Sequence, residues 1–184
     1  MGPMLQGRRN DHQYLGTTEI AGAPEYVVGS LRQTTLSFAT RGNLTFTPTL
    51  TLQLYAEPFV SSGRYPAVRR VTAPRAAREA DRFEPIGAER LTRGDGRLRV
   101  DVDRDGLPDL DIAEPDFTTL SFRSNLVARW EYRPGSALMV VWQQQREAER
   151  ESGEFRVGRG LDELFSVPAR NVLLVKVSHW LSLR

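Results

Sequence analysis

Between Thr34 and Phe59 the chain alternates with a period of two. The even positions read Leu36, Phe38, Thr40, Gly42, Leu44 and Phe46, then Leu50, Leu52, Leu54 and Ala56. The odd positions read Thr35, Ser37, Ala39, Arg41, Asn43 and Thr45, then Thr49, Thr51, Gln53, Tyr55 and Glu57. Successive residues of a strand point to opposite sides, so this pattern predicts a strand, a turn at Thr47-Pro48-Thr49 and a second strand. Phe117 to Arg133 repeats it, with Leu120, Phe122, Leu126, Ala128, Trp130 and Tyr132 on one side and Arg123, Asn125, Arg129, Glu131 and Arg133 on the other. A turn at Pro134-Gly135-Ser136 leads into a strand from Ala137 to about Gln145 whose first half is apolar on both sides. The last strand is expected over Val172–Leu183, and His12–Val28 offers a sixth beside these five.

The connections predict the architecture. Short turns at 47–49 and 134–136 alternate with long polar segments at 61–116 and 149–170. The strands exceed the usual five or six residues of a soluble sheet, and about 9 to 11 tilted residues suffice to cross a bilayer. Long strands, alternation of sides and one short-turned end form the pattern of a transmembrane β-barrel with periplasmic turns and extracellular loops. The expected fold is therefore all-β: an antiparallel meander of long strands making a partial transmembrane β-barrel, an open curved sheet with two long extracellular loops. One domain spans residues 1–184. Too few strands are present to close a barrel, so two free edges are expected, one near Tyr14–Val28 or Thr34–Phe46 and the other at Val172–Leu183. A soluble antiparallel β-sandwich acting as a ligand-binding module carries the same alternation and is the alternative.

Composition narrows the chemistry. The chain has 184 residues, 40% hydrophobic and 26% charged, with no cysteine. That excludes disulfides, zinc ribbons and a thiol nucleophile. The only histidines are His12 and His179, and neither has a Ser or Asp partner nearby in sequence. No Gly-x-Ser-x-Gly, phosphate-cradling glycine loop or His-Glu-x-x-His is present, so no enzyme is expected; a barrel-embedded hydrolase would need a cluster assembled only in space. The net charge of +2 comes from mixed signs, which argues against a nucleic-acid partner. Met1–Arg9 has basic residues but no apolar run behind them, so it is not a signal peptide.

Three groups could bind something. Asp101, Asp103, Asp105 and Asp109 stand at positions 1, 3, 5 and 9 of a loop with Gly106 at position 6, and the Leu107 carbonyl would complete a set of hard oxygen ligands for Ca2+. A solvated acidic loop is the other reading. The inward-side residues Arg41, Glu57, Arg123, Arg129, Glu131 and Lys176 could line a pore or bind a polar ligand, or could simply pair with one another. Pro74–Phe83 could form a short helix with Arg75, Arg78 and Arg82 along one side, facing lipopolysaccharide phosphates or only water. Tyr55, Phe59, Trp130, Tyr132 and Trp180 fall near strand ends, where aromatic belts or ordinary hairpin packing would use them.

Several stretches resemble one bacterial family. They include Asn43–Pro48, Leu52–Gly63, Arg123–Leu126, Arg129-Trp130-Glu131-Tyr132-Arg133-Pro134-Gly135-Ser136 and Asn171–Leu181. Members of that family carry an N-terminal family-nine carbohydrate-binding module followed by an outer-membrane β-barrel domain of unknown function. The resemblance spans roughly residues 12 to 183 and covers only the C-terminal end of longer proteins, so it implies a C-terminal fragment of that barrel. It further implies the Gram-negative outer membrane, reached by a signal peptide absent from this chain. Outer-membrane lipid, lipopolysaccharide and the barrel assembly machinery are the implied partners, with a glycan as possible ligand. The role it implies is structural, embedding a carbohydrate-binding or uptake protein in the membrane.

Overall fold

The computed structural model describes residues 2–181, and nearly all long-range order is antiparallel strand. The strand β1 (Gly2–Ile20) turns at Ala21 and Gly22, both with positive φ (50° and 79°), into β2 (Ala23–Thr47). Two left-handed residues give the hairpin turn whose twist matches the flanking strands. Pro48 and Thr49 then lead to β3 (Leu50–Val71). A short β4 (Phe83–Ile86) pairs with the far end of β3, and β5 (Leu91–Gly94), β6 (Arg97–Val100) and β7 (Leu110–Ala113) make a separate small sheet. The chain returns through β8 (Phe117–Arg133), Pro134 and Gly135 (φ 77°), and β9 (Ser136–Arg150). One helix, α1 (Val157–Ser166), precedes the last strand β10 (Arg170–Ser178).

The main sheet runs β1-β2-β3-β8-β9-β10, and among the described residues no ladder joins β10 to β1. The sheet is open, with β10 at one edge as expected. The other edge is β1, which meets the expected Tyr14–Val28 only over Tyr14–Ile20, while Thr34–Ala39 lies within the sheet between β1 and β3. Other expectations need correction. Residues 61–116 are not one loop: β3 continues to Val71, and β4 to β7 occupy the remainder. Residues 149–170 hold α1. The first strand begins at Gly2, well before His12, and its tight turn at Ala21–Gly22 lies at the end thought to carry only long loops. Arg75 and Arg78 form no helix; only a single 3-10 turn at Glu79–Arg82 is present, and Arg82 Nε donates to Ala76 O at 2.7 Å. Ser182 and Leu183 lie outside the described residues.

At ~3.3 Å per residue the 25 residues of β2 reach about 80 Å, far beyond a hydrocarbon core of about 30 Å. The strands therefore have two functional lengths. Near the Pro48 and Pro134 turns, antiparallel partners share a side and keep it across the sheet. One row reads Leu44, Leu52, Ala128, Val140, Val175; the next reads Leu54, Leu126, Trp142, Leu173. This apolar side is open to its surroundings, with Leu44 56%, Phe46 62% and Leu173 65% exposed.

At the other end both sides are covered. Val27 and Val68 pack with Ile86, Leu98, Val100, Val102 and Leu110 in a core built by β4 and the small sheet. Val27, Gly29 and Leu31 occupy odd positions of β2, so the small sheet closes over the continuation of the polar side. Crowding there is severe: a Cβ on Gly63 would meet the Phe117 ring at 2.3 Å and Leu31 Cδ1 at 3.0 Å. On the apolar side α1 sets Leu164 against Val60 and Leu120, with Phe122, Ala148, Phe155 and Leu161 around them. Gly160 allows this approach, since a Cβ would stand 3.0 Å from Leu120 Cδ2. Part of the side expected to face lipid is thus roofed by the chain itself.

Leu98 is fully buried, so Leu98→Ala should cost about 2–5 kcal/mol locally. Hydrogen exchange should show amides of 88–113 losing protection while the β8–β9 ladder keeps it. Uniform loss across both would mean that the small sheet and the long strands unfold as one unit.

Candidate functional site

Strand alternation brings the six expected inward residues to one side. Glu57, Arg123, Gln145 and Arg170 form one row across four strands, and Tyr55, Asn125, Gln143 and Val172 form the next, beginning at Arg41. Arg129 and Lys176 flank Met139 two rows on, and Glu131 follows. These charges partly pair. Arg129 reaches Glu131 at 3.4 Å and Arg123 reaches Glu147 at 3.6 Å, both exposed and therefore worth little in stability. Tyr55 Oη donates to Glu57 Oε2 at 2.5 Å, and the Arg41 guanidinium lies 5.4 Å from the Tyr55 ring centre. Nearer the turns this side is not uniformly polar: Val127, Val141 and Leu174 form a row on it.

Two grooves are hollowed into the polar side. One, about 460 Å³, is lined by Tyr55, Arg123, Asn125, Gln143, Gln145 and Arg170 among others. Its neighbour, about 390 Å³, is lined by Glu57, Phe59, Thr119, Ser121, Arg123, Glu147 and Glu149. Tyr55 and Phe59 thus line grooves and do not belong to a belt. The aromatic residues that do gather near the turns are Trp130, Tyr132 and Trp180. Tyr132 Oη and His179 Nδ1 are 2.9 Å apart, and the Trp180 amide donates to Ser136 Oγ at 3.0 Å. Sequence reasoning missed Arg170, placed within a loop, and Gln143 and Gln145, whose polarity was visible but whose side was not.

The acidic loop lies at the opposite end, on the small sheet. Carboxylate oxygens of Asp101, Asp103 and Asp109 all lie within 4.8 Å of one another. The expected Asp105 is not in this group; its Oδ1 accepts the Leu107 amide at 2.8 Å, and Leu107 is 66% exposed. The carboxylates also cap the loop's own amides. Asp109 Oδ2 accepts from Val102 at 2.6 Å, while Asp101 accepts from Arg104 at 2.7 Å and Gly106 at 3.1 Å. Arg104, with φ 74°, reaches out to Glu84 of β4 at 2.5 Å, and Arg90 reaches the same oxygen at 3.4 Å. Burial raises the Glu84 carboxyl's pKa, but hydrogen bonds from Arg104 and Arg90, with Arg70 nearby, outweigh it and hold the pKa below its usual value.

The model of one family, described as a domain of unknown function (DUF5916), matches residues 88–184, just over half of the chain. No curated protein and no solved structure matches significantly.

A folded-state pKa below the unfolded one gives stability that is present at neutral pH and is lost as pH falls through the folded value. Docking of the 101–109 loop onto β4 should accordingly loosen below the usual glutamate range, read as rising protease cleavage within the loop. Glu84→Gln should flatten that acid dependence, and an unchanged profile would assign the tether to another group.

Proposed function

Because this chain belongs to the DUF5916 family, a domain of unknown function, its role is argued from its own geometry, and we propose that the long sheet is part of the wall of an outer-membrane β-barrel. The carrying observation is the pair of opposed sides on strands of membrane-spanning length: continuous apolar rows left exposed on one, charged and amide rows with grooves on the other. A barrel uses such a strand with lipid outside and an aqueous lumen inside. A sandwich would set a second sheet on the apolar side; among the described residues only α1 covers it, at the end remote from the turns. Trp130, Tyr132 and Trp180 near the turns suit the interface belt.

In this reading β1 and β10 meet further strands of the same wall, since a lipid-exposed edge leaves backbone groups unpaired at several kcal/mol each. The barrel assembly machinery would insert it, and lipopolysaccharide would surround the ends of the strands remote from the turns. The resemblance to proteins bearing a family-nine carbohydrate-binding module supports a place in glycan binding or uptake, with this segment embedding and lining and no catalysis assigned to it. The small sheet and α1 then stand outside the bilayer. There the Asp101, Asp103 and Asp109 carboxylates would hold one Ca2+, in a compartment where that ion is available.

Arg at Leu44 or Leu52 should weaken insertion into lipid vesicles by about 2–4 kcal/mol near the midplane, measured by a folding titration. Arg at Asn43 or Gln53 should be tolerated, and equal effects in both sets would contradict the assignment of sides. For the loop, millimolar Ca2+ should protect 101–109 from proteolysis with half-saturation on the order of 10⁻⁴ to 10⁻³ M. The doubly substituted Asp101→Asn, Asp103→Asn chain should show no response, and an unresponsive parent chain would remove calcium from the account.

A further inference from the structure

The two grooves on the polar side differ in charge. The smaller is walled by Glu57, Glu147 and Glu149. The larger has no carboxylate in its lining, and carries Arg123 and Arg170 beside Asn125, Gln143 and Gln145. Arg123 lies on the border, held only loosely by Glu147 at 3.6 Å. Arg170 is exposed and has no anionic partner among the described residues, and Asn125 lines the same groove. An exposed guanidinium without a carboxylate partner is open to an anion, and planar carboxylates fit its fork best. Asn125 carries a side-chain amide that can pair with a hydroxyl. Gln143 offers a donor and an acceptor, and Gln145, whose Nε2 already donates to Glu147 Oε1 at 2.7 Å, offers its carbonyl and one further N–H, which suits vicinal hydroxyls.

We infer that this groove binds an acidic, carboxylate-bearing oligosaccharide, with Arg170 and Arg123 on the carboxylate and Asn125, Gln143 and Gln145 on the hydroxyls. Its volume of about 460 Å³ falls within the ~300–1,000 Å³ of small-ligand sites. A neutral sugar would leave Arg170 unanswered. A nucleobase would need a free aromatic face, whereas the Tyr55 ring lies under Arg41 and its hydroxyl is committed to Glu57. The inference rests on reading the polar side as the lumen lining, and names what that lining recognises.

The test is calorimetric titration of the full chain in detergent micelles with trigalacturonate and with the neutral galactose trimer. The acidic trimer should bind at least tenfold more tightly. Arg170→Gln, on an exposed edge strand, should erase that preference, and Asn125→Leu should weaken both sugars severalfold. Equal affinity for the two trimers, or a preference that survives Arg170→Gln, would overturn the inference. Vesicle flotation of the same preparations separates the two proposals. A chain that floats but shows no preference refutes the groove alone, and one that shows the preference without floating supports the groove while refuting the membrane reading.

Discussion

Strand register governs everything else in this molecule. Each long strand pairs antiparallel with its neighbours, and the pairing from β2 to β10 carries a single choice of side across five strands. A slip of one residue at any interface would put Leu44, Leu126 or Leu173 among the arginines and glutamines. The tight turns at Pro48–Thr49 and Pro134–Gly135 fix that choice locally, the latter through the positive φ of Gly135. Apolar rows, grooves and charge rows all follow from this one constraint.

Register also explains why the sheet changes character along its length. Near Leu31 the pairing shifts: three steps of β3, from Arg64 to Ala67, oppose two steps of β2. Pro66, which has no N–H, lies within that irregular stretch. Beyond it, β8 no longer follows β3, β4 takes its place at Val68–Val71, and the small sheet covers the vacated side. The ladder that stays regular is the part suited to a bilayer. The part that bulges supports a separately packed cap.

The β2–β3 hairpin near its turn and β8 were legible in the sequence because their apolar and polar residues alternate almost throughout, whereas the first half of β9 is apolar on both sides and its facing was not legible. The region from Gly2 to Ile20 and from Val60 to Val71 was not legible either. In β3, and in the facing stretch of β2, Gly29, Ser30, Ser61, Ser62 and Gly63 are small or polar, yet all are buried, as is Leu31 between them. The small sheet and α1 cover that end of the sheet, whereas β1 is mostly exposed. A strand covered on both sides loses its alternation. The acidic loop was found from spacing alone, and three of its four carboxylates converge; Asp105 turns instead to the Leu107 amide. Arg170 was hidden because one strand boundary, placed two residues late, set it in a loop.

If the apolar side meets lipid, the native tryptophans report it without substitution. Trp130 and Trp142 both stand on that side, 50% and 42% exposed, and the chain's third tryptophan, Trp180, lies by the turns. In vesicles containing brominated acyl chains their fluorescence should be strongly quenched, while aqueous iodide should have little effect. Quenching by iodide with no response to brominated lipid would place those side chains in water or against protein, and would return the sheet to a soluble role.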